Sequence, residues 1–308
     1  MKKLFAFVLV LMLLTATVVS YGETLRFGAT FHSTYHEFFA NMIKGMQDAA
    51  EKYDVELTLV DENGDAAAQY NTMENFVEQK MDGIILLAVD PESLVQMVDT
   101  IVTINKIPVV ACDGSINSDK ITTFIGSSGL GMGIATGEAF KAYCEKNNIT
   151  GGKIGVTTWK KSPSQQERLQ GFKDVLATMG NSFVIVNEQD GDARDTAMTS
   201  AENIMQADPD ISFLYGTNEG NVLGCYYAVE AAGLLDQIKV FGIDVSEDGI
   251  KGIRAGYIPF IITQLPYEMG VKSIEVLIGA LNGEVYEAKT YIDTPAITIE
   301  NVDQFVKK

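Results

Sequence analysis

From Thr24 onward, short apolar runs alternate with longer segments in which apolar residues recur every three to four positions. The short runs have the length of strands, and their continuous hydrophobicity is typical of parallel strands that helices cover on both faces. The segment Phe38–Tyr53 has the other pattern, because its apolar residues fall on one face of a helix. This alternation predicts an α/β protein built on parallel sheets.

The predicted strands form two successive series rather than one. The strands are Leu25–Phe31, Val55–Val60, Gly83–Ala88, Pro108–Cys112 and Ile121–Ile125, then Lys153–Thr157, Phe183–Asn187, Ile211–Tyr215, Lys239–Ile243, Phe260–Thr263, Lys289–Ile292 and Ile297–Glu300. The helices are Phe38–Tyr53, Ala66–Lys80, Ser93–Ile104, 129–148, Gln165–Met179, Thr196–Ala207, Glu219–Ala232 and Pro266–Leu281. A single sheet of so many strands would be unusually wide, so we predict two doubly wound lobes.

The first 22 residues have a different pattern. Lys2 and Lys3 precede the unbroken apolar run Leu4–Leu14, and the small residues Ser20 and Gly22 follow it. This order is typical of a secretory signal peptide, and we predict export to the periplasm with cleavage after Gly22. The alternative is an uncleaved membrane anchor, but the run is shorter than the roughly 20 residues that a spanning helix needs.

The composition is acidic. The whole chain has a net charge of -18, and removal of the two lysines of the predicted signal peptide leaves -20. Such a charge opposes attraction to nucleic acids and to anionic membranes. The three cysteines, Cys112, Cys144 and Cys225, lack the spacing of a metal site. We expect buried thiols, with a single internal pair as the alternative.

Four polar side chains follow predicted strands at the point where each strand ends. They are Asp113, Asn218, Asp244 and Gln264. A charged group is costly to bury unless it is paired, so an acid that ends an apolar strand is expected to face a partner or a ligand. Because ligands of open α/β sheets bind beyond the carboxyl ends of the strands, the four positions predict a binding site.

The segment after the first strand contains both histidines, His32 and His36, and an aromatic pair, Phe38 and Phe39. For the histidines the hypotheses are a ligand-facing loop, a solvated loop, and a metal pair, which lacks the glutamate of an HExxH motif. For the phenylalanines the hypotheses are core packing and stacking on an apolar ligand face, with Phe39 preferred for the contact.

Two further candidates follow strands of the second series. Trp159, the single tryptophan, comes after Lys153–Thr157 and either lines the cleft or lies on the surface. Asp192 follows Phe183–Asn187 and either contacts the ligand or caps the next helix, a role also open to Asp195.

The glycine-rich run Gly126–Gly137 follows a strand and opens a helix, as nucleotide-binding loops do. The dinucleotide fingerprint fails, because Ile134 or Thr136 occupies the position of its third glycine. The phosphate-loop pattern places Met132 where lysine is required. We therefore interpret the run as a lobe crossing with close helix packing, and we predict neither a cofactor nor a metal.

Several motifs occur in one order along the chain: the Phe38–Phe39 pair, ENGDAAAQ to Gln69, MDGIILLAVDP to Pro91, IPVVACD to Asp113, QERLQGF to Phe172, GTNEGNVLG around Asn218, FGID to Asp244 and TQLPYEMG around Gln264. In these motifs the chain resembles the ribose-binding-protein-like branch of the type I periplasmic solute-binding proteins. The resemblance implies two lobes that are joined by a three-segment hinge and close on a solute. We expect a signal peptide at 1–22, an N-terminal lobe at 23–126 plus 265–290, and a C-terminal lobe at 127–264 plus 291–308.

The resemblance also implies which residues bind the ligand: Phe38 or Phe39, Asp113, Asn218, Asp244 and Gln264. Three positions depart from the family pattern. His36 replaces an asparagine, while Gly114 and Gln166 replace arginines. Without those arginines, we expect no cation in the cleft to neutralise an anion.

The predicted site combines two carboxylates, which accept hydrogen bonds, with the amides of Asn218, Gln264 and Gln166, which donate and accept. This set suits vicinal hydroxyls, so we predict a neutral sugar or polyol, or a cationic ligand, rather than a phosphate or a sugar acid. By the resemblance, a monomer delivers this solute to the permease of an ABC transporter. The alternatives are a sensor subunit for a membrane receptor and a binding protein for a non-sugar molecule. We expect no enzymatic activity and no nucleic-acid partner.

Overall fold

The computed structural model describes residues 24–32 and 37–305, so the predicted signal peptide lies outside the described residues. Within these ranges the chain forms two six-stranded sheets. The first has the order β11-β5-β4-β3-β1-β2 and is parallel throughout. Its strands are β1 (Arg26–Phe31), β2 (Glu56–Asp61), β3 (Gly83–Leu86), β4 (Val109–Cys112), β5 (Thr123–Gly126) and β11 (Lys289–Tyr291).

The second sheet repeats this arrangement with the order β12-β10-β9-β8-β6-β7. The edge strand β12 is antiparallel to β10, and the other pairs are parallel. The strands are β6 (Gly152–Thr158), β7 (Phe183–Asp190), β8 (Phe213–Gly216), β9 (Lys239–Ile243), β10 (Phe260–Ile262) and β12 (Ala296–Thr298). The predicted α/β class with two doubly wound lobes is therefore confirmed.

Helices cover both faces of each sheet, which explains why the strands are apolar runs without alternation. The N-terminal lobe contains α1 (Glu37–Lys52), α2 (Ala66–Glu78), α3 (Val95–Thr100) and α9 (Pro266–Leu281). The C-terminal lobe contains α4 (Gly129–Lys146), α5 (Pro163–Leu176), α6 (Arg194–Ala207), α7 (Glu219–Ala231) and α8 (Glu247–Arg254). Each sheet consequently has two apolar cores, one per face.

The chain crosses between the lobes three times, at residues 127–128, 263–265 and 292–295. Hydrogen bonds tie the crossings together. The amide of Ile292 donates to the carbonyl of Gly126 at 2.9 Å, and the amide of Thr263 donates to the carbonyl of Pro295 at 3.0 Å. The three segments therefore form one bonded hinge rather than independent linkers.

Three local features differ from the predicted pattern. The helix expected from Ser93 begins at Val95, because the Asp90 carboxylate accepts the amide hydrogens of Glu92 and Ser93 and holds them in a turn. Beyond α3 the chain continues as a π-helix, Ile101–Asn105. Tyr291 pairs with Gly126 in β11, so the first sheet extends past the expected lobe boundary at 290.

The glycine-rich run forms the beginning of α4, where it allows close contact with α5. A Cβ atom at Gly133 would lie 2.0 Å from the carbonyl oxygen of Arg168, and one at Gly171 would lie 2.3 Å from that of Leu130. Both obstacles are backbone atoms, which cannot turn aside. These glycines therefore set the position of α5, and with it the position of Arg168.

We predict that Gly133→Ala lowers the melting temperature by several degrees. Overpacking lowers the free energy of unfolding by about 1–3 kcal/mol, and each kcal/mol lowers the melting temperature by about 2–4 °C in a domain of this size. Gly131→Ala is the matched control on the same helix, since its Cβ would meet only the Ser128 side chain, at 3.1 Å. The control should be neutral or slightly stabilising, because alanine favours helix over glycine. Equal melting temperatures for the two variants, measured by calorimetry, would contradict the packing role of Gly133.

Candidate functional site

Two aspartates occupy equivalent positions in the two lobes. Asp113 follows β4 and Asp244 follows β9, each the third strand from its sheet edge. The backbone amide of Asp113 donates to the carbonyl of Ile125, and that of Asp244 donates to the carbonyl of Ile262, both at 2.8 Å. Both residues have positive φ, 58° and 69°. This conformation is uncommon for residues other than glycine, and such strain clusters at functional sites.

The Asp244 carboxylate is held by protein groups on both of its oxygens. Gln264 Nε2 donates to Oδ1 at 2.8 Å, and Arg168 Nη1 donates to Oδ2 at 2.8 Å. The same Nη1 donates to the carbonyl of Thr217 at 2.8 Å, while the buried Nε of Arg168 has no partner in the described structure. Only 9% of the Arg168 side chain is exposed, against 25% for Asp244. The pair is thus a largely desolvated, charge-assisted contact.

Arg168 corrects the expectation that no cation is present at the site. The motif QERLQGF contains it, but its role depends on the helical face on which it lies. Gln165, Arg168, Leu169 and Phe172 are all buried on α5, at the spacing of a single helical face. That spacing is visible in the sequence, and an arginine among buried positions needs a partner.

The carboxyl of Asp113 has a different environment. Burial, and then the charge of Asp244, raise its pKa to about 6, while the charge of Arg168 opposes the increase. The charges of the C-terminal lobe therefore act on Asp113 in the N-terminal lobe. Among the described residues, none donates a hydrogen bond to this carboxyl. The equivalent acids of the two lobes thus differ: Asp244 is paired, whereas Asp113 has no donor in the described part of the chain.

The side chains of Asn218 and Gln166 each use some of their hydrogen-bonding atoms within the protein and leave another atom for a ligand. Asn218 caps α7, because its Oδ1 accepts the amide hydrogen of Asn221 at 2.8 Å, and it also accepts from Asn221 Nδ2. Its Nδ2 remains a potential donor. Gln166 Nε2 donates to Thr158 Oγ1 at 3.2 Å and to the carbonyl of Trp159 at 3.3 Å, which leaves its Oε1 as an acceptor.

Trp159 lies on a turn that is fixed by hydrogen bonds. Its amide donates to Gln165 Oε1 at 3.0 Å, and the next amide, that of Lys160, donates to Asp190 Oδ1 at 2.9 Å. Gln165 Oε1 also accepts from Thr217 Oγ1 at 2.7 Å. Despite this rigid support, the indole is 40% exposed at the carboxyl end of β6. An apolar ring in that position is available to a ligand or to solvent.

The N-terminal lobe contributes aromatic rings at the end of β1. Phe39 packs edge-on against His32 with ring centroids 4.7 Å apart, and Phe38 packs against Phe39 at 5.3 Å. Both phenylalanines also contact the apolar core, so they combine packing with partial exposure. Burial lowers the pKa of His32, and the charge of Asp61 opposes this decrease. His36 lies outside the described residues.

Asp192 is exposed beside the start of α6, where its Oδ1 accepts from Thr196 Oγ1 at 2.7 Å. The cap position of this helix is occupied by Ala193, not by Asp192 or Asp195. The Thr196 side chain supplies the cap contact instead, since its Oγ1 accepts the amide hydrogen of Ala193 at 3.0 Å. Asp192 therefore contacts the start of α6 only through the Thr196 side chain.

The described residues have other features besides these strand ends. In the described part of the chain, no group of three or more histidine, cysteine or acidic side chains could hold a metal ion. All three cysteines are buried free thiols, and burial raises the pKa of Cys112 and Cys225 to about 12. A surface groove beside the hinge is lined by Ala135, Leu265, Asp293, Thr294 and Pro295. Residues 24–32 and 37–305 include no helix long and apolar enough to span a bilayer.

The chain is similar to known binding proteins over most of its length. The family model described as a periplasmic binding protein domain matches residues 27–284. The ribose import binding protein RbsB of Salmonella typhimurium (strain LT2) is 27% identical over 263 residues, which cover 83% of this chain and 84% of that protein.

Solved structures give the same picture of the fold. AraP, an arabinose-binding protein from Geobacillus stearothermophilus, has a TM-score of 0.80 at 22% identity and covers 93% of this chain and 100% of that chain. An ABC transporter solute-binding protein from Bacillus halodurans C-125 with bound myo-inositol has a TM-score of 0.72 at 26% identity, covering 92% and 97%. The chain belongs to the periplasmic binding protein family, in its type I, ribose-binding-protein-like branch.

Proposed function

We propose that this protein captures a small neutral sugar or polyol between its two lobes and delivers it to an ABC transporter. The observation that carries the proposal is the pair of equivalent strand-end aspartates, one in each lobe, in which the charge of Asp244 helps to raise the pKa of Asp113. A ligand bound to both would bridge the lobes. The names of relatives that import ribose or bind arabinose or myo-inositol support the same class of ligand.

The available groups match hydroxyls better than they match anions. Asp113 and Asp244 accept hydrogen bonds, and free amide groups remain on Asn218 and Gln166. Arg168 is present, but its charge is balanced by Asp244. An anionic ligand would therefore add a third negative charge to a site with one cation. A ring with several hydroxyls can instead donate to both carboxylates and adds no further negative charge.

Hinge closure is how the lobes would trap the ligand. Closure of periplasmic binding proteins around ligands is a known type of domain motion, and the three bonded crossings of this chain suit it. A ligand shifts the lobes toward the closed arrangement only by as much as it binds that arrangement better. Contacts to both Asp113 and Asp244 exist only when the lobes are together, so they provide that difference.

Location and partners complete the proposal. The chain belongs to a family of solute-binding proteins that act outside the cytoplasm. The charged, apolar and small residues at 1–22 are also consistent with a cleaved signal peptide. We infer that the mature protein is a periplasmic monomer that carries its solute to a transporter permease. Its role is binding rather than catalysis.

A panel of ligands tests the proposal by thermal shift. D-Ribose, D-allose, L-arabinose and myo-inositol are compared with the anions D-ribose 5-phosphate and D-glucuronate. A neutral ligand at a concentration of about 100 times its dissociation constant adds about 2.7 kcal/mol to the free energy of unfolding. This increase raises the melting temperature by several degrees. We expect at least one neutral compound to give this shift and the anions to give none. Stabilisation by the anions alone would contradict the proposal.

The pH dependence of binding tests the role of Asp113. Hydroxyl donors stabilise the ionised carboxyl, so binding is strongest above the pKa of about 6 and weakens as the pH falls through it. At about one pH unit below the pKa, about a tenth of the carboxyls are ionised, so calorimetry should give about tenfold weaker binding. Asp113→Asn should bind more weakly at high pH and lose this pH dependence. An unchanged pH profile in the variant would remove Asp113 from the site.

A further inference from the structure

The charges that face each other between the lobes do not balance. Asp244 and Arg168 form a pair at 2.8 Å, and Gln264 completes the coordination of the carboxylate. Asp113 is the remaining charge, and among the described residues no group donates a hydrogen bond to it. With Asp113 ionised, these three charged groups carry one net negative charge.

Other charged side chains nearby do not compensate for this charge. Arg168 is the one described cation whose charge acts on Asp113. Lys160 directs its Nζ to the carbonyl of Glu188 at 3.2 Å, on β7. Burial disfavours the charged form of His32, and Asp90 accepts the amide hydrogens of its own turn. The N-terminal lobe therefore supplies no cation to Asp113 from its described residues.

The backbone next to Asp113 also leaves little room for a neighbouring cationic side chain. A Cβ atom on Gly114 would lie 3.2 Å from the amide nitrogen of Ala88, which is a tight contact with backbone. Gly114 itself supplies no charge at this position, where the family pattern has an arginine. Because no cation of the described N-terminal lobe pairs with Asp113, the bound molecule can supply the partner.

A neutral ring would leave Asp113 in an unfavourable state after closure. Hydroxyl groups can donate to the carboxylate, but its negative charge stays uncompensated in a site that the lobes shield from water, and burial of an unpaired charge is costly. A ligand ammonium would donate a charge-assisted hydrogen bond and would also neutralise the site. Such bonds are about twice as strong as bonds between neutral groups.

We propose that, among polyhydroxylated rings, this site binds those that carry one protonated amine, such as an amino sugar or an aminocyclitol, more tightly than their neutral parents, and that the ammonium pairs with Asp113. The hydroxyls of the same ring are bound by Asp244, Asn218 and Gln166. This inference rests on the proposed function, because it requires that a polyhydroxylated ring binds at the strand ends. It concerns the charge of the ligand and not the fold or the transport role.

Amino compounds can be compared with their exact hydroxyl parents by calorimetry at about pH 7, where Asp113 is mostly ionised. The pairs are D-glucosamine with D-glucose, D-galactosamine with D-galactose, and scyllo-inosamine with scyllo-inositol. N-Acetyl-D-glucosamine is a third member of the first set, in which the nitrogen is present without its charge. In at least one pair we expect the amine to bind about tenfold more tightly than its parent.

Two variants separate Asp113 from the overall acidity of the protein. Asp113→Asn should weaken binding of the amine more than binding of the neutral parent, so that the two compounds bind with about equal affinity. Asp119→Asn makes the same change of charge at an exposed position in the same loop, where Asp119 pairs with Lys120, and it should keep the preference. The asparagine variant is compatible with the backbone, since asparagine tolerates a positive φ.

Each outcome has a distinct meaning. A preference for the amine that is lost in Asp113→Asn and kept in Asp119→Asn supports the inference. Parents that bind as tightly as their amines, or a preference that persists in Asp113→Asn, overturn the inference and leave the proposed function intact. If no polyhydroxylated compound binds in this set or in the neutral panel, then the proposed function fails and the inference fails with it.

Discussion

The hydrogen-bonded ion pair between Arg168 and Asp244 is the contact on which the rest of the site depends. The packing of α5 on the glycines of α4 positions the arginine, and Gln264 in the second crossing segment fixes the other carboxylate oxygen. The carboxyl end of β9 is thereby connected to the hinge. A change in the contacts of Asp244 therefore acts directly on the second crossing segment. In the proposed function, ligand binding and lobe closure share one set of atoms.

The two lobes repeat one strand order but use it differently. In both, an aspartate in left-handed conformation follows the third strand from the edge. The C-terminal lobe surrounds its aspartate with protein donors, whereas the N-terminal lobe leaves Asp113 without one among the described residues. The C-terminal lobe is therefore preorganised, and the N-terminal lobe is incomplete until a partner for Asp113 is bound. In the proposed function, a ligand rather than the protein itself completes the closed site.

Much of the fold followed from simple patterns in the sequence. The apolar runs predicted most strands, because each strand is covered by helices on both faces, and the abrupt polar ends predicted Asp113, Asp244 and Gln264 as neighbours. Arg168 was missed although the buried face of α5 was visible in the sequence, because its partner Asp244 lies on another element, 76 residues further along the chain. The late start of α3 was also missed, because the Asp90 side chain competes locally for two amides. Contacts of this kind depend on three-dimensional packing.

The central claim is that a single ligand bridges Asp113 and Asp244 and so draws the lobes together. Spin labels on Ala67→Cys and Lys161→Cys, at exposed positions on opposite lobes, would measure the distance between the lobes by pulsed electron resonance, because the native cysteines are buried. With the tightest ligand of the panel, the account predicts a shorter distance, and Asp244→Ala should need at least about tenfold more ligand for the same change. A distance that stays constant when the ligand saturates the protein would contradict the account.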